Sequence, residues 1–271
     1  MADRVIETEA PPRVSNGKGL MGSVGIGIDR YLGTTSLFGG LVLWEAAGRL
    51  FQAAWLPPFS DVVRALIELV KGGDILGNLA NSLVNLAIGF AIALVVGLSV
   101  GGLMGRYKII DQALDVYVYA LFVAPTMIFV PIFFAIFGLS GGTLIAIIVV
   151  YGVFVIIINT ATAIRSVDSS LVEMARSYGA RERQIFFRIL VPASLPLIFA
   201  GIQLGMGRSV KGMINGEMFI ALVGLGALAQ RFGGRFDAAS SLAIALVILI
   251  VALVLNRLVR LLDNRLTFWV D

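Results

Sequence analysis

The chain has 271 residues, of which 58% are apolar and only 14% charged, against about 25% charge in an ordinary soluble domain. This composition excludes a soluble globular enzyme, a disordered protein and a nucleic-acid binder as leading readings, and 21 basic against 17 acidic residues is too small an excess to imply a polyanionic partner. With no cysteine and no histidine, the sequence has no disulfide framework, no thiolate or imidazole metal site, and no Ser-His-Asp or Cys-His catalysis.

Residues 1–30 are polar and mixed, with Pro11, Pro12 and scattered glycine. They lack a basic start leading into an apolar core and a small-residue cleavage site, so they read as a tail rather than a signal peptide. Residues 1–35 are assigned to this tail and 266–271 to a C-terminal tail. Between them, apolar stretches recur at about 36–55, 79–105, 113–138, 142–164, 193–222 and 239–261. Each is near the roughly 20 residues that carry a helix across a bilayer. The expectation is an all-α membrane domain over 36–265 with six transmembrane helices.

Six spans put both termini on one side. One set of connections carries Arg106, Lys108, Arg165, Arg176, Arg181, Arg183 and Arg188, joined by Arg4, Arg13, Lys18, Arg260 and Arg265 of the tails. The opposite set carries Arg64, Lys71, Arg231 and Arg235. The basic-rich side faces the cytoplasm by the positive-inside rule.

In the first span, Glu45 and Arg49 stand at i and i+4 and are expected to form a local ion pair. After Pro57-Pro58, Ser60 and Asp61 read as the N-cap of a short outer helix, with Val62, Val63, Leu66, Ile67 and Val70 on its apolar side. Gly97, Gly101 and Gly105, then Gly201 and Gly205, then Gly212 and Gly216 recur at a spacing that allows close helix approach. Either packing within one bundle or a seam between subunits fits them. Asn81, Asn85 and Asn159 are expected to hydrogen-bond between helices. In the third span, Pro125 and Pro131 free backbone carbonyls, and Thr126 and Met127 beside them are candidates for pathway lining.

The connection 165–192 is more than a turn. Ser170 and Glu173 have capping-box spacing, predicting a helix from Leu171 to about Tyr178 that stops at Gly179. A second short helix starts near Arg181 and gives way near Pro192. In the fifth span, Arg208, Lys211 and Asn215 fall on one helical face, with Glu217 off it. Charged groups inside a span need a partner or a function. Lys211, Asn215, Arg208 and Glu217 are candidates for pathway lining: either Lys211 with Asn215 helps hold an anionic or strongly hydrogen-bonding substrate, or Lys211 pairs with a neighbouring carboxylate such as Glu217 of another subunit.

The 165–192 connection carries a pattern: Glu173-Met174-Ala175, three residues, Gly179, nine residues, Ile189, one residue, Val191-Pro192. It resembles the Glu-Ala-Ala loop of permease subunits of bacterial ABC importers, with Met174 in place of Ala and Val191 in place of Leu. The stretches SDVVRALIEL, NSLVNLAIGFAIALVVGLSVGGLMGRY, RSVDSSLVEMARSYGA and GRSVKGMINGEMF are similar to the subfamily serving taurine, aliphatic sulfonate, nitrate, bicarbonate and some vitamin-precursor importers. The resemblance covers roughly residues 36–265. It implies a type I importer permease fold that works as a dimer in the bacterial inner membrane.

The same resemblance implies a coupling helix that docks on a separate ATPase, with Glu173, Ala175, Arg176, Gly179 and Ala180 as its candidate coupling residues. It also implies an extracytoplasmic solute-binding protein and a second permease copy. The chain has no G-x-x-x-x-G-K-[ST] loop, so ATP and Mg belong to the partner ATPase and no cofactor to this chain. A self-sufficient channel or secondary transporter is the alternative, and it has no use for the 173–192 pattern.

Overall fold

The computed structural model describes residues 21–220 and 223–266, with side chains from Thr35 onward. The tail up to residue 20 and residues 267–271 lie outside the described residues. Among those described there are helices and turns and no strand. In chain order the helices are α1 (Met21–Phe51), α2 (Phe59–Lys71), α3 (Asp74–Arg106), α4 (Lys108–Val123), α5 (Val130–Phe137), α6 (Gly141–Arg165), α7 (Ser169–Ser177), α8 (Glu182–Ile185), α9 (Val191–Ile220), α10 (Leu225–Gly233) and α11 (Ala238–Leu266).

α1 begins at Met21, so 21–35 are helical and continuous with the first apolar stretch. Extending an existing helix fixes one residue per hydrogen bond gained and needs no apolar side chain. Among the described residues, four helical segments are long and apolar enough to cross a membrane: α3, α6, the run Glu182–Ile220 and α11. A fifth arises if α4 and the segment Thr126–Phe137 count as one broken span. α1 has the length, but Asp29, Arg30, Glu45 and Arg49 divide its apolar run.

The expected third span is not straight. α4 and the following segment meet at 96°. Pro125 forces Ala124 into an extended conformation (φ −58°, ψ 136°), because a residue before proline is pushed out of the helical region. A single 3₁₀ turn, Thr126–Phe129, then leads into α5. Pro131 lies in the first turn of α5, where the missing N–H costs nothing.

Near Pro192 the chain also departs from expectation. The helix does not give way there; it widens. The Val191 N–H bonds to Phe186 O, five residues back, across a π turn at Phe186–Leu190. That extra residue in the turn lets the helix run on through Pro192 into α9.

The centre of the fold is α6, flanked by α3 and α9. Half of the most apolar stretch of α6 is buried, against 11% for α11, which places α11 at the periphery. Lipid is as apolar as leucine, so helices in a bilayer associate by close packing rather than by water exclusion. The glycines supply that closeness. A Cβ on Gly97 would come 2.6 Å from Ile156 Cγ2, and one on Gly101 2.6 Å from the backbone oxygen of Ile157. From the other side, Gly201 packs on Asn159, Gly205 on Ile156, Gly212 on the ring of Tyr151 and Gly216 on Leu144. All three glycine stripes are therefore contacts within one chain.

A second apolar cluster gathers α2, the start of α3, α10 and the start of α11 around Val62, Leu225, Leu228 and Ile244. α2 starts one residue before the expected cap, and neither Ser60 nor Asp61 caps it. Glu45 of α1 does so instead: its carboxylate accepts from Ser60 N at 2.9 Å and from Ser60 Oγ at 3.0 Å, while also pairing with Arg49. Of the expected apolar side, Val62 is buried, but Ile67 and Val70 are exposed, and Leu69 is buried in their place.

Candidate functional site: the 165–192 connection and the open face of α9

The 165–192 connection folds onto the ends of α3 and α6. Asp168, not Ser170, caps α7: its Oδ1 accepts from Ser170 N at 2.9 Å. The helix begins at Ser169, so Ser170 sits inside the first turn and the Ser170–Glu173 box does not form. The Ser170 amide holds the Asp168 carboxyl below the ordinary aspartate range.

At the other end, Gly179 stops α7 as expected. Its φ is +77°, Gly179 N bonds to Arg176 O at 2.9 Å, and Ala180 N bonds to Ala175 O at 3.0 Å. These two bonds and the left-handed glycine make a Schellman motif. A side chain at 179 would meet nothing within 4 Å. The requirement for glycine is therefore conformational and internal, before any partner is considered.

The candidate coupling residues divide by direction. Glu173 is exposed. Ala175 turns inward and is 8% exposed, in a cluster with Ile164, Ile185 and Leu190 against which Ala180 packs. Arg176 is turned toward α8, its Nη2 3.2 Å from Glu182 Oε1. Glu182 also pairs with Arg106, the last residue of α3. The inner network includes a further pair, Arg165 with Asp111. Glu182 and Asp111 carry no local sequence signal for their pairs with Arg106 and Arg165, because those partners are brought close only by the fold.

The opposite side of α9 from its glycines is open. Leu204, Arg208 and Lys211 are exposed and Asn215 is half-buried. Arg208 and Asn215 are about 10 Å apart along the axis at 1.5 Å per residue. The Arg208 guanidinium lies over the Phe122 ring, 5.2 Å from its centroid, beside a cleft of about 140 Å³ lined by Phe122, Asn159, Leu204 and Arg208. Farther along, Met127, Asn215, Met218, Phe219 and Gln230 line a cavity of about 420 Å³. Thr126, in the 3₁₀ turn with Met127, is half-buried.

Asn215 Nδ2 donates to Tyr151 Oη at 3.0 Å. Tyr151 joins this face through the tertiary fold alone. Among the described residues neither Arg208 nor Lys211 has an ion-pair partner.

Glu217 stands apart from that face. It is 1% exposed, and its Oε2 accepts from Gly226 N at 2.8 Å. Gly224 N donates to Asn78 Oδ1 at 2.8 Å and Leu225 N to Ser82 Oγ at 3.0 Å. Three side chains from α3 and α9 thus serve the otherwise unpaired N–H groups opening α10. A Cβ on Gly224 would fall 2.2 Å from Glu217 Cδ, so the loop closes directly on the carboxyl. Asn78 and Ser82 show the same i, i+4 polar spacing as Asn81 and Asn85 and were legible by that signal. Asn81 and Asn159 themselves donate within their own helices, to Gly77 O and Val155 O, not between helices.

Comparison with known proteins agrees with this architecture. The 29% identity to a probable ABC transporter permease protein of Brucella melitensis runs over 231 residues, 85% of this chain and 92% of that one. A putative aliphatic sulfonates transport permease protein of Bacillus subtilis is 29% identical over 232 residues, 84% of each chain. In three dimensions, the chain is similar to the MetNI methionine ABC transporter in an inward-facing conformation, at a TM-score of 0.58 and 19% identity, covering 70% of this chain and 93% of that one. The profile of the binding-protein-dependent transport system inner membrane component matches residues 93–268, a span holding α6, the 165–192 connection and all of α9, and the chain belongs to that family of multi-pass membrane transport subunits.

Proposed function

We propose that this ABC-importer permease carries a small anion or an organic sulfonate, and that the open face of α9 lines its path. The observation behind this reading is that Arg208 and Lys211 stand exposed on one face of a membrane-crossing helix with no carboxylate partner among the described residues. An ammonium within a span is costly unless an anion or water serves it. Asn215, oriented by Tyr151, adds a hydrogen-bonding group to the same face, and Met127, next to Thr126 in the 3₁₀ turn, lines a cavity with it. The transported anion then supplies the charge that the chain itself withholds.

In this reading the chain makes six crossings in the bacterial inner membrane with both termini in the cytoplasm, and two copies surround one path. An extracytoplasmic binding protein delivers the substrate. The 165–192 connection meets the ATPase, which holds ATP and Mg. Glu173 presents the outer surface of α7, while Ala175, Arg176, Gly179 and Ala180 fix its shape and seat. ATP moves the permease only if it favours one conformation over another.

The test is ATP hydrolysis in nanodiscs holding the permease, its ATPase and its binding protein, challenged with nitrate, bicarbonate, taurine, an alkanesulfonate and a neutral vitamin precursor. One anion should stimulate hydrolysis, and Lys211→Met should weaken that stimulation without lowering the melting temperature. Stimulation by the neutral compound alone, or equal stimulation of the variant, would remove Lys211 from the path.

A further inference from the structure

We infer that Glu182 is a positioning residue that locks the coupling helix α7 to the inner end of α3, so that the two move as one body. The inference rests on the proposed contact between the 165–192 connection and the ATPase.

The chain needs such a lock because α7 is otherwise lightly held. Ala175 is its one buried residue among those described, and beside it only the half-buried Val172 packs on the cluster below. Gly179, with its left-handed backbone and open surroundings, turns the chain between α7 and α8 with no side chain of its own to brace the joint. A push on α7 would be absorbed by bending there unless something spanned the joint.

Glu182 spans it. One carboxylate oxygen, Oε1, accepts from Arg176 Nε at 3.3 Å and Nη2 at 3.2 Å, tying α8 back to α7 across Gly179. The other, Oε2, pairs with Arg106. Arg106 ends α3, and its side chain is only 18% exposed, so it is a fixed post rather than a mobile surface charge. α3 is in turn set against α6 by Gly97, Gly101 and Gly105. A displacement of α7 therefore reaches the membrane core through a short chain of contacts: Arg176, Glu182, Arg106, then the α3–α6 seam. Surface ion pairs add little to stability, and the role here is geometric. A carboxylate with two oxygens serving two different helices sets an angle and a distance that an apolar contact of this size cannot.

The chain has no native cysteine, so paired spin labels can be placed cleanly at Leu103→Cys on α3 and Ser177→Cys on α7, in the full complex with its ATPase in nanodiscs. Their separation is measured by pulsed electron resonance without nucleotide and after trapping with ATP and vanadate. With Glu182 present, the separation should be the same in both states. Glu182→Gln should leave the nucleotide-free distance in place and shift or split it in the trapped state, while Arg183→Gln, a neighbour outside the triad, should not. Arg106→Gln serves as the second variant if Glu182→Gln fails to assemble, and should give the same trapped-state shift. The ratio of substrate moved to ATP hydrolysed should fall about fivefold in either variant, the low end of ordinary coupling between sites.

A wild-type distance that changes on trapping would overturn the inference, as would a variant whose distances match those of Arg183→Gln. Failure of the ATPase to co-purify with the unsubstituted permease would instead sink the coupling-loop reading on which the inference stands.

Discussion

The two sides of α9 follow opposite rules. On the side facing α6, a single carbon added at Gly201, Gly205 or Gly212 would overlap a neighbour, Gly216 is nearly as tight, and Ser209 donates to Ile148 O across the contact. On the other side, Arg208 and Lys211 stand exposed beside Leu204, and Gly207 has nothing within 4 Å of where its Cβ would be. One helix therefore carries a face fixed by contact and a face left open among the described residues. Small residues specify the first because membrane helices are held by packing. Charge marks the second, where Arg208 lies over the Phe122 ring and Lys211 is exposed without an ion-pair partner among the described residues.

The contrast breaks most sharply at Gly205. Gly205→Leu would drive a side chain into Ile156, whose Cγ1 is 2.6 Å from the Cβ position. Overpacking usually costs about 1–3 kcal/mol and occasionally more, and neither α6 nor α9 can withdraw without undoing the other contacts. The expected result is loss of the folded permease, read as aggregation on size exclusion in detergent.

Glu217→Ala tests whether the buried carboxyl belongs to the packed side. It strips the acceptor from Gly226 N, and an unsatisfied buried donor costs about 1–3 kcal/mol. The melting temperature should fall, and amides at the start of α10 should exchange faster, while any preference among substrates stays as it was. A changed preference with unchanged stability would move Glu217 to the open face.

Asp168 gives a smaller, pH-dependent effect at the fully exposed start of α7. Its carboxyl is held below the ordinary range by the Ser170 amide. A lowered folded-state value means that the cap is fully present above the ordinary aspartate pKa and is lost as pH falls through the lowered value. Amide exchange at Ser170 and Leu171 should therefore rise in acid, after correction for intrinsic rates, and Asp168→Ala should remove that pH dependence.

The smallest effect belongs to Gly207→Ala. Nothing obstructs the added methyl, and alanine exceeds glycine in helix propensity by up to about 1 kcal/mol. The melting temperature should stay level or rise slightly. A large loss here would mean that the face is closed by a close partner rather than open.

Much of this was legible in the chain itself. Long apolar runs locate α3, α6, α9 and α11 because the bilayer sets a minimum length for a crossing helix. Gly179 announces the end of α7 because the left-handed turn it makes suits no other residue as well. The pairing of Glu45 with Arg49 follows from their i, i+4 spacing. Arg208, Lys211 and Asn215 share a face through helical period alone.

Other features required the fold. Nothing near Glu182 in the sequence indicates that it joins Arg106 to Arg176, since Arg106 is 76 positions away (182 − 106). Glu45 as the cap of α2, Tyr151 as the support of Asn215, and Glu217 as an acceptor for α10 are likewise contacts between distant segments. The 96° break after α4 follows from Pro125 in kind, but its angle is set by the helices around it. Hydropathy, helical period and backbone chirality are properties of neighbouring residues, so the sequence by itself determined the membrane class, the shared face of Arg208, Lys211 and Asn215, and the stop at Gly179, though not the buried face of α2. Which glycine stripe seals a helix pair, and which charge finds a partner, depends on what another helix places opposite. Only the tertiary structure decided that.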